Sequence, residues 1–398
     1  MSTVFTTAHG LGTPKSDLPS GAAPNDAIYR ILVAVSSPNH ALLFEWFDGV
    51  SWDTLLRHAR HHSLIPLLAH RLLESQDGIT IPAQIRARLR SDFQSNLLRN
   101  FGLLEETKQV VHAWRENGIE AIPYKGTVLA EQLWGSFALR ECSDLDFLVR
   151  QIDVERAGQV LCDWGYQQVS PVAAYLRPAL LRNASEEQFR HPASQVLLEL
   201  QWAPAPRTLA LSFDNEGLWN RITQISVAGE TVNAPKPEDL VGMLCIHGWK
   251  HNWSKLIWVA DLARTIRKYP LDWDEILSSA ERWGWRRILL LGAELVRLVY
   301  KDITTKLDHH GDAGVQAVAR RLEQNLRRGQ PNSYLDWHRD MLVARDSINS
   351  QIHQAANFVF TPGLAEYSSS KLPKWASLGY RMVRLARVLS LWPRKTLA

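Results

Sequence analysis

Two carboxylates stand two residues apart inside an apolar run, Ser143-Asp144-Leu145-Asp146-Phe147-Leu148-Val149. In an extended strand, residues i and i+2 project to the same face. Asp144 and Asp146 then stand side by side, while Leu145, Phe147 and Val149 turn to the core. Acids held that close repel each other unless a cation sits between them. Paired carboxylate oxygens suit a hard divalent ion such as Mg2+, which binds through one or two carboxylates plus substrate phosphates. The plainer reading is a strand end with two solvated acids, because a bare Asp-x-Asp is common.

Upstream, residues 119–124 read as a short buried strand, Lys125-Gly126-Thr127 as a turn, and residues 128–134 as a short helix. Glycine lets the backbone approach a phosphate closely, and a helix start offers free N–H groups to an anion. Lys125 adds a positive charge, though the same residues also make an ordinary tight turn. Downstream, Val196-Leu197-Leu198-Glu199-Leu200-Gln201-Trp202 alternates in period two. Glu199 and Gln201 share one face, and Leu198, Leu200 and Trp202 the other. A charge in such a strand is costly unless it is paired, metal-bound or turned to water.

Taken together, these segments resemble a known family. The turn Lys125-Gly126-Thr127, the run Leu139-Arg140-Glu141-Cys142-Ser143-Asp144-Leu145-Asp146-Phe147-Leu148-Val149 and the segment Glu199-Leu200-Gln201-Trp202 carry the resemblance. It is to the uncharacterised bacterial nucleotidyltransferase family of the DNA polymerase beta-like superfamily. The superfamily pattern is a Gly-Ser turn, Asp-x-Asp on the next strand, and a third acid on a later strand. Thr127 stands in place of the serine, and Gln201 stands where members often carry His. The resemblance implies that Asp144, Asp146 and Glu199 are catalytic and bind metal. It implies Mg2+ or Mn2+ as cofactor and an NTP such as ATP as substrate. Lys125, Gly126 and Thr127 would hold its phosphates. The implied reaction is two-metal transfer of a nucleoside monophosphate to an acceptor hydroxyl, with release of pyrophosphate. The acceptor is left open among small molecule, peptide, saccharide and RNA. The alternative is a non-catalytic nucleotide- or partner-binding module of the same fold, accessory to peptide or polysaccharide biosynthesis.

The elements that must position these residues give an α+β reading. Residues 1–24 read as a disordered arm rich in Ser, Thr, Gly, Ala and Pro, without an apolar signal core. Residues 25–116 read as a helical region in which Ser51 caps a helix opened by Trp52-Asp53. His58, His61 and His62 read as a polar face, and the arginines and Asn100 of the helix running from Ile81-Pro82 to Glu116 as a solvated one. Residues 117–235 form the nucleotidyltransferase-like core, a small mixed sheet with helices on one side. In it, residues 175–184 look helical but broken by Pro178. Residues 236–398 return to helix.

In that last region His247 and His251 are i and i+4, on one helical face. The spacing suits zinc, but no Glu follows His247 as in His-Glu-x-x-His hydrolases and no third ligand is marked. The resemblance implies instead that His247, Lys250, His251 and Asp261 line the cleft opposite the acids and contact the nucleotide. A satisfied polar cluster between packed helices is the alternative. Residues 371–398 hold seven Lys or Arg and no acid. Leu378, Met382, Leu385, Leu389 and Trp392 fall on one stripe, which reads as a terminal helix packed by its apolar side. Weak contact of this basic helix with an acidic surface is a second expectation.

Composition sets the remaining bounds. The 398 residues are 45% hydrophobic and 22% charged, an ordinary globular balance with enough chain for a sizeable core. A net charge of +4 does not by itself point to nucleic acid. Cys142, Cys162 and Cys245 lack any Cys-x-x-Cys pair, which speaks for a reducing, cytoplasmic setting and against structural zinc. No apolar run reaches transmembrane length.

Overall fold

The computed structural model describes residues 24–37, 42–74, 79–309, 311–329, 334–369 and 372–391. The expected N-terminal arm and Trp392 lie outside the described residues, the arm all but for residue 24. At its centre is a five-stranded sheet of β1 (Ala121–Pro123), β2 (Leu145–Val149), β3 (Gln167–Gln168), β4 (Glu186–Arg190) and β5 (Leu197–Gln201), in the order β1-β2-β5-β4-β3. The β2–β5 pair is parallel and the other pairs are antiparallel. A parallel pair needs a long crossover, and the helix Val154–Asp163 lies in it. A separate hairpin joins β6 (Thr223–Val227) and β7 (Glu230–Ala234). With helices before, within and after the sheet, the fold is α+β.

The alternation in β2 and β5 sets which face is dry. Leu145, Phe147 and Val149 meet Leu198, Leu200 and Trp202 in one cluster with Trp114 of the long helix Ala83–Glu116. The Trp114 and Phe147 rings pack edge to face at 4.9 Å. Trp114 Nε1 donates to the Ala157 carbonyl at 3.0 Å, so its polar edge is satisfied as well. Burying a ring such as Phe147 contributes about 3 kcal/mol.

The other face is covered too, which corrects the expectation of helices on one side. Ile122, Tyr124 and Leu148 pack on Leu218, Trp219 and Met243, and Met243 belongs to the helix Pro237–Lys250. Leu148 is the reason, since its face is apolar at that end of β2. Nearer the start of the strand the same face carries Asp146, and there a cleft remains open.

Four further readings change. Pro178 does not break its helix; it occupies the first turn of Arg177–Asn183, where a missing N–H is harmless. Asn100 is fully buried, not solvated. Its Nδ2 donates to the Arg140 carbonyl at 2.7 Å, and Asn96 Nδ2 donates to Ala138 O at 2.8 Å. The two amides fix the loop that leads into Asp144. His62 is likewise buried, bonded through Nε2 to Leu326 O at 3.0 Å and accepting at Nδ1 from Leu256 N–H at 3.3 Å. In the last helix, Gly379–Leu391, Tyr380 and Val388 pack inward while Met382 and Leu389, and Leu378 just before the helix, stay exposed. The apolar stripe read from the sequence is therefore mostly the outer side.

Candidate active site

Parallel pairing places Asp146 directly opposite Glu199, both on the face turned to the helix Pro237–Lys250. Asp144 sits on the bend just before β2, one residue short of the strand. Gln201 follows Glu199 on the same face. Its Nε2 donates to Asp146 Oδ1 at 3.0 Å and to Glu199 Oε2 at 2.9 Å, so one amide holds both acids. Tyr124 donates to Gln201 Oε1, which fixes the amide's orientation. From β4, Gln188 Nε2 donates to Glu199 Oε1 at 3.1 Å.

Lys125 reaches the same point from the turn after β1, with Nζ 2.7 Å from Asp146 Oδ1. Gly126 opens the helix Gly126–Trp134 with φ of +56°, and a Cβ there would lie 3.3 Å from the Asp144 carbonyl oxygen. The left-handed φ calls for glycine, and a Cβ would also press tightly on that oxygen. The turn thus brings a lysine and a helix start against the Asp-x-Asp strand. Gly126 borders the cleft, while the Thr127 side chain is buried behind it.

The charges feel one another. Burial pushes Asp146 up, but the Lys125 ammonium outweighs it and holds the carboxyl below its usual value. Burial and the negative charge of Asp146 raise Asp144, whose own hydrogen bond comes from Ser143 Oγ at 3.2 Å. Burial, then Asp146 and Glu186, lift Glu199 to about 7. Asp146 and Glu199 are joined through the Gln201 amide, which donates to both carboxylates.

The facing helix supplies the other wall. His247 and His251 lie with ring centres 4.7 Å apart, and each is within 5.4 Å of the Trp258 ring. Burial, with Lys125 next in weight, lowers His247 well below its usual value, leaving it neutral at pH 7. Lys250 Nζ lies 3.3 Å from Glu186 Oε2. Asp261 is placed differently from the sequence reading. It is 1% exposed and stands behind the cleft, accepting from Trp134 Nε1 at 2.9 Å and Arg140 Nε at 3.1 Å. Arg140 is the one that reaches the cleft.

These walls enclose about 380 Å³, room for a nucleotide-sized ligand. Five basic side chains line it, Arg99, Lys125, Arg140, Lys250 and Lys255. Sequence reasoning missed Tyr124, Gln188, Glu186, Arg140 and Lys255. Arg140 stood inside the Leu139–Val149 run and Tyr124 at the end of the expected strand 119–124, but neither position marked a role in the site. Among the described residues, no three His, Cys, Asp or Glu side chains stand ready as a metal-binding group. The donor chemistry of the cleft suits a hard divalent ion: three carboxylates, Asp144, Asp146 and Glu199, border it, two with raised affinity for protons and the third compensated by a lysine. A cation there would relieve the same repulsion that Lys125 relieves at Asp146 and that raises the proton affinity of Glu199.

A family model described as uncharacterised nucleotidyltransferase matches residues 48–301, a span that contains the whole sheet and both cleft walls. No curated protein and no solved structure matches the chain.

Proposed function

Because the chain belongs to the uncharacterised nucleotidyltransferase family, we propose that it transfers a nucleoside monophosphate from an NTP to an acceptor hydroxyl. The new bond forms between the acceptor oxygen and the α-phosphorus; the α–β phosphoanhydride bond breaks and pyrophosphate leaves. Asp144, Asp146 and Glu199 would hold divalent cations, Mg2+ or Mn2+, whose chemistry when bound is to neutralise phosphate charge and acidify the attacking hydroxyl.

The chain's own groups do the rest. The backbone N–H groups at Gly126 and Thr127 and the Lys125 ammonium hold phosphate oxygens. Lys250, across the cleft, adds charge for the triphosphate, and the neutral His247 and His251 rings with Trp258 offer flat surfaces to a base. Arg140, fixed by Asp261, closes the site on the loop side. Glu199, with a pKa of about 7, is suited to take the hydroxyl proton near neutral pH. The observation that carries this reading is the in-register pairing of Asp146 with Glu199 beside the Lys125-Gly126 turn.

One observation favours the non-catalytic alternative: Asp146 is already satisfied by Lys125 and Gln201. Incubation with each labelled NTP, Mg2+ and pools of small-molecule, peptide, saccharide and RNA acceptors separates the two. Pyrophosphate release that is lost in Asp146→Asn supports the enzyme. Saturable NTP binding without release from any pool supports the binding module.

A further inference from the structure

Residues 302–398 lie outside the family match. Their helix Ile348–Phe360 packs near the turn Arg207–Leu209 of the core, with Asn357 Nδ2 donating to Arg207 O at 3.2 Å. Beside this junction is a groove of about 990 Å³, at the upper end of ordinary ligand sites. It shares no lining residue with the cleft of the three acids. Arg182, Arg207, Arg345 and His353 line it, and no Asp or Glu does. Most of the remaining wall is amide, hydroxyl or small apolar.

Arg345 is the unusual member. It is 3% exposed. Nη2 donates to the carbonyl of Ala210 at 2.7 Å, and Ala210 holds a left-handed φ of +48°. Nε and Nη1 meet no acceptor. The adjacent acid, Asp346, spends its carboxylate on the N–H groups of Arg286 and Arg287, at 3.0 and 2.7 Å. A guanidinium does not deprotonate in a protein. A positive charge therefore lies under the groove without an ion pair, an arrangement that costs stability by itself. An anion in the groove offsets that cost.

We infer that this groove binds an anionic oligosaccharide. The solvent-facing Arg182 and Arg207 take its carboxylate or phosphate groups, Arg345 supplies a fixed positive field from the floor, and the amide and serine side chains take its hydroxyls. A pocket of this size holds a few sugar units, not a nucleic-acid duplex. The inference is independent of the reading of the cleft.

Calorimetric titration of the full chain at low salt tests it. Tetragalacturonate is the carboxylate probe, phosphorylated maltotetraose the phosphate probe, and maltotetraose the neutral control. At least one anionic probe is expected to bind at one site, roughly tenfold or more tighter than the control. Arg182→Ala/Arg207→Ala should weaken it by a similar factor, and Asp146→Asn by less than about twofold. Arg345→Met should also weaken it, with an unchanged or raised thermal midpoint, because a buried unpaired charge has been removed. The inference is overturned if neither anionic probe binds, if the neutral control binds equally, or if the Asp146→Asn variant loses binding that the double variant keeps. Tighter binding of a tetrathymidylate than of either anionic saccharide also overturns it.

Discussion

Asp146 and Glu199 face each other in register across the parallel strands β2 and β5, and the Gln201 amide donates to both. The pair is held in register by backbone pairing, not by flexible loops. Its electrostatic state is then fixed by what else is near. Lys125 pairs with Asp146, while burial and the Asp146 charge raise the proton affinity of Glu199.

That asymmetry gives a pH dependence. The Glu199 carboxyl is raised from 4.5 to about 7 by burial, Asp146 and Glu186. Between those values the native chain binds more protons than the unfolded one, so stability falls as pH rises. In denaturant titrations without divalent ions, the midpoint should decrease from pH 5 to pH 8. Glu199→Gln should flatten the slope, and millimolar Mg2+ should raise the pH 8 midpoint of the wild type only. A slope unchanged in Glu199→Gln contradicts the assignment.

Gly126→Ala should be costly for two separate reasons. The residue holds φ at +56°, and its Cβ would press on the Asp144 carbonyl at 3.3 Å. The backbone strain alone is about 1–2 kcal/mol. Because the loop bearing Asp144 must move, Mg2+-dependent NTP affinity should drop more than stability does. Urea denaturation and equilibrium binding measured on the same preparation check the order of the two effects.

Asp261→Ala should destabilise strongly without touching ligand directly. It leaves the Arg140 guanidinium buried without its acid, a change of about 3–5 kcal/mol. Replacing both partners, as in Asp261→Leu/Arg140→Met, should recover much of the loss. Recovery absent from urea titrations would mean that Arg140 is compensated elsewhere.

How much of this the sequence could carry follows from range. The i, i+2 spacing of Asp144 and Asp146, the Lys125-Gly126 turn and the alternation around Glu199 are local patterns, and they are legible as such. The parallel register joining Asp146 to Glu199 is not, because it links segments more than fifty residues apart. The same limit hid Gln188 and Arg140, whose roles exist only once β4 and the 137–142 loop are in place. His62 and Asn100 misled for a different reason. A polar side chain at helical spacing reads as solvated, yet both are buried with backbone partners supplied by distant chain. The terminal helix shows the reverse, since periodicity marks an apolar stripe but not whether anything covers it.

Phe147→Ala tests the packing under the acids. Phe147 is fully buried against Trp114, so the loss should be about 3–5 kcal/mol. A loss below about 1 kcal/mol in urea would show that the dry face does not anchor β2.

The most direct test asks whether Asp144 and Asp146 of one segment and Glu199 of another form one divalent-cation site. Mn2+ titration followed by electron paramagnetic resonance reads this directly at pH 8, where Glu199 is ionised. Saturable binding is expected in the wild type, abolished in Asp146→Asn and weakened in both Asp144→Asn and Glu199→Gln, with each variant folded by circular dichroism. Wild-type binding that persists unchanged in Asp146→Asn, or no binding by the wild type in the presence or absence of NTP, contradicts it.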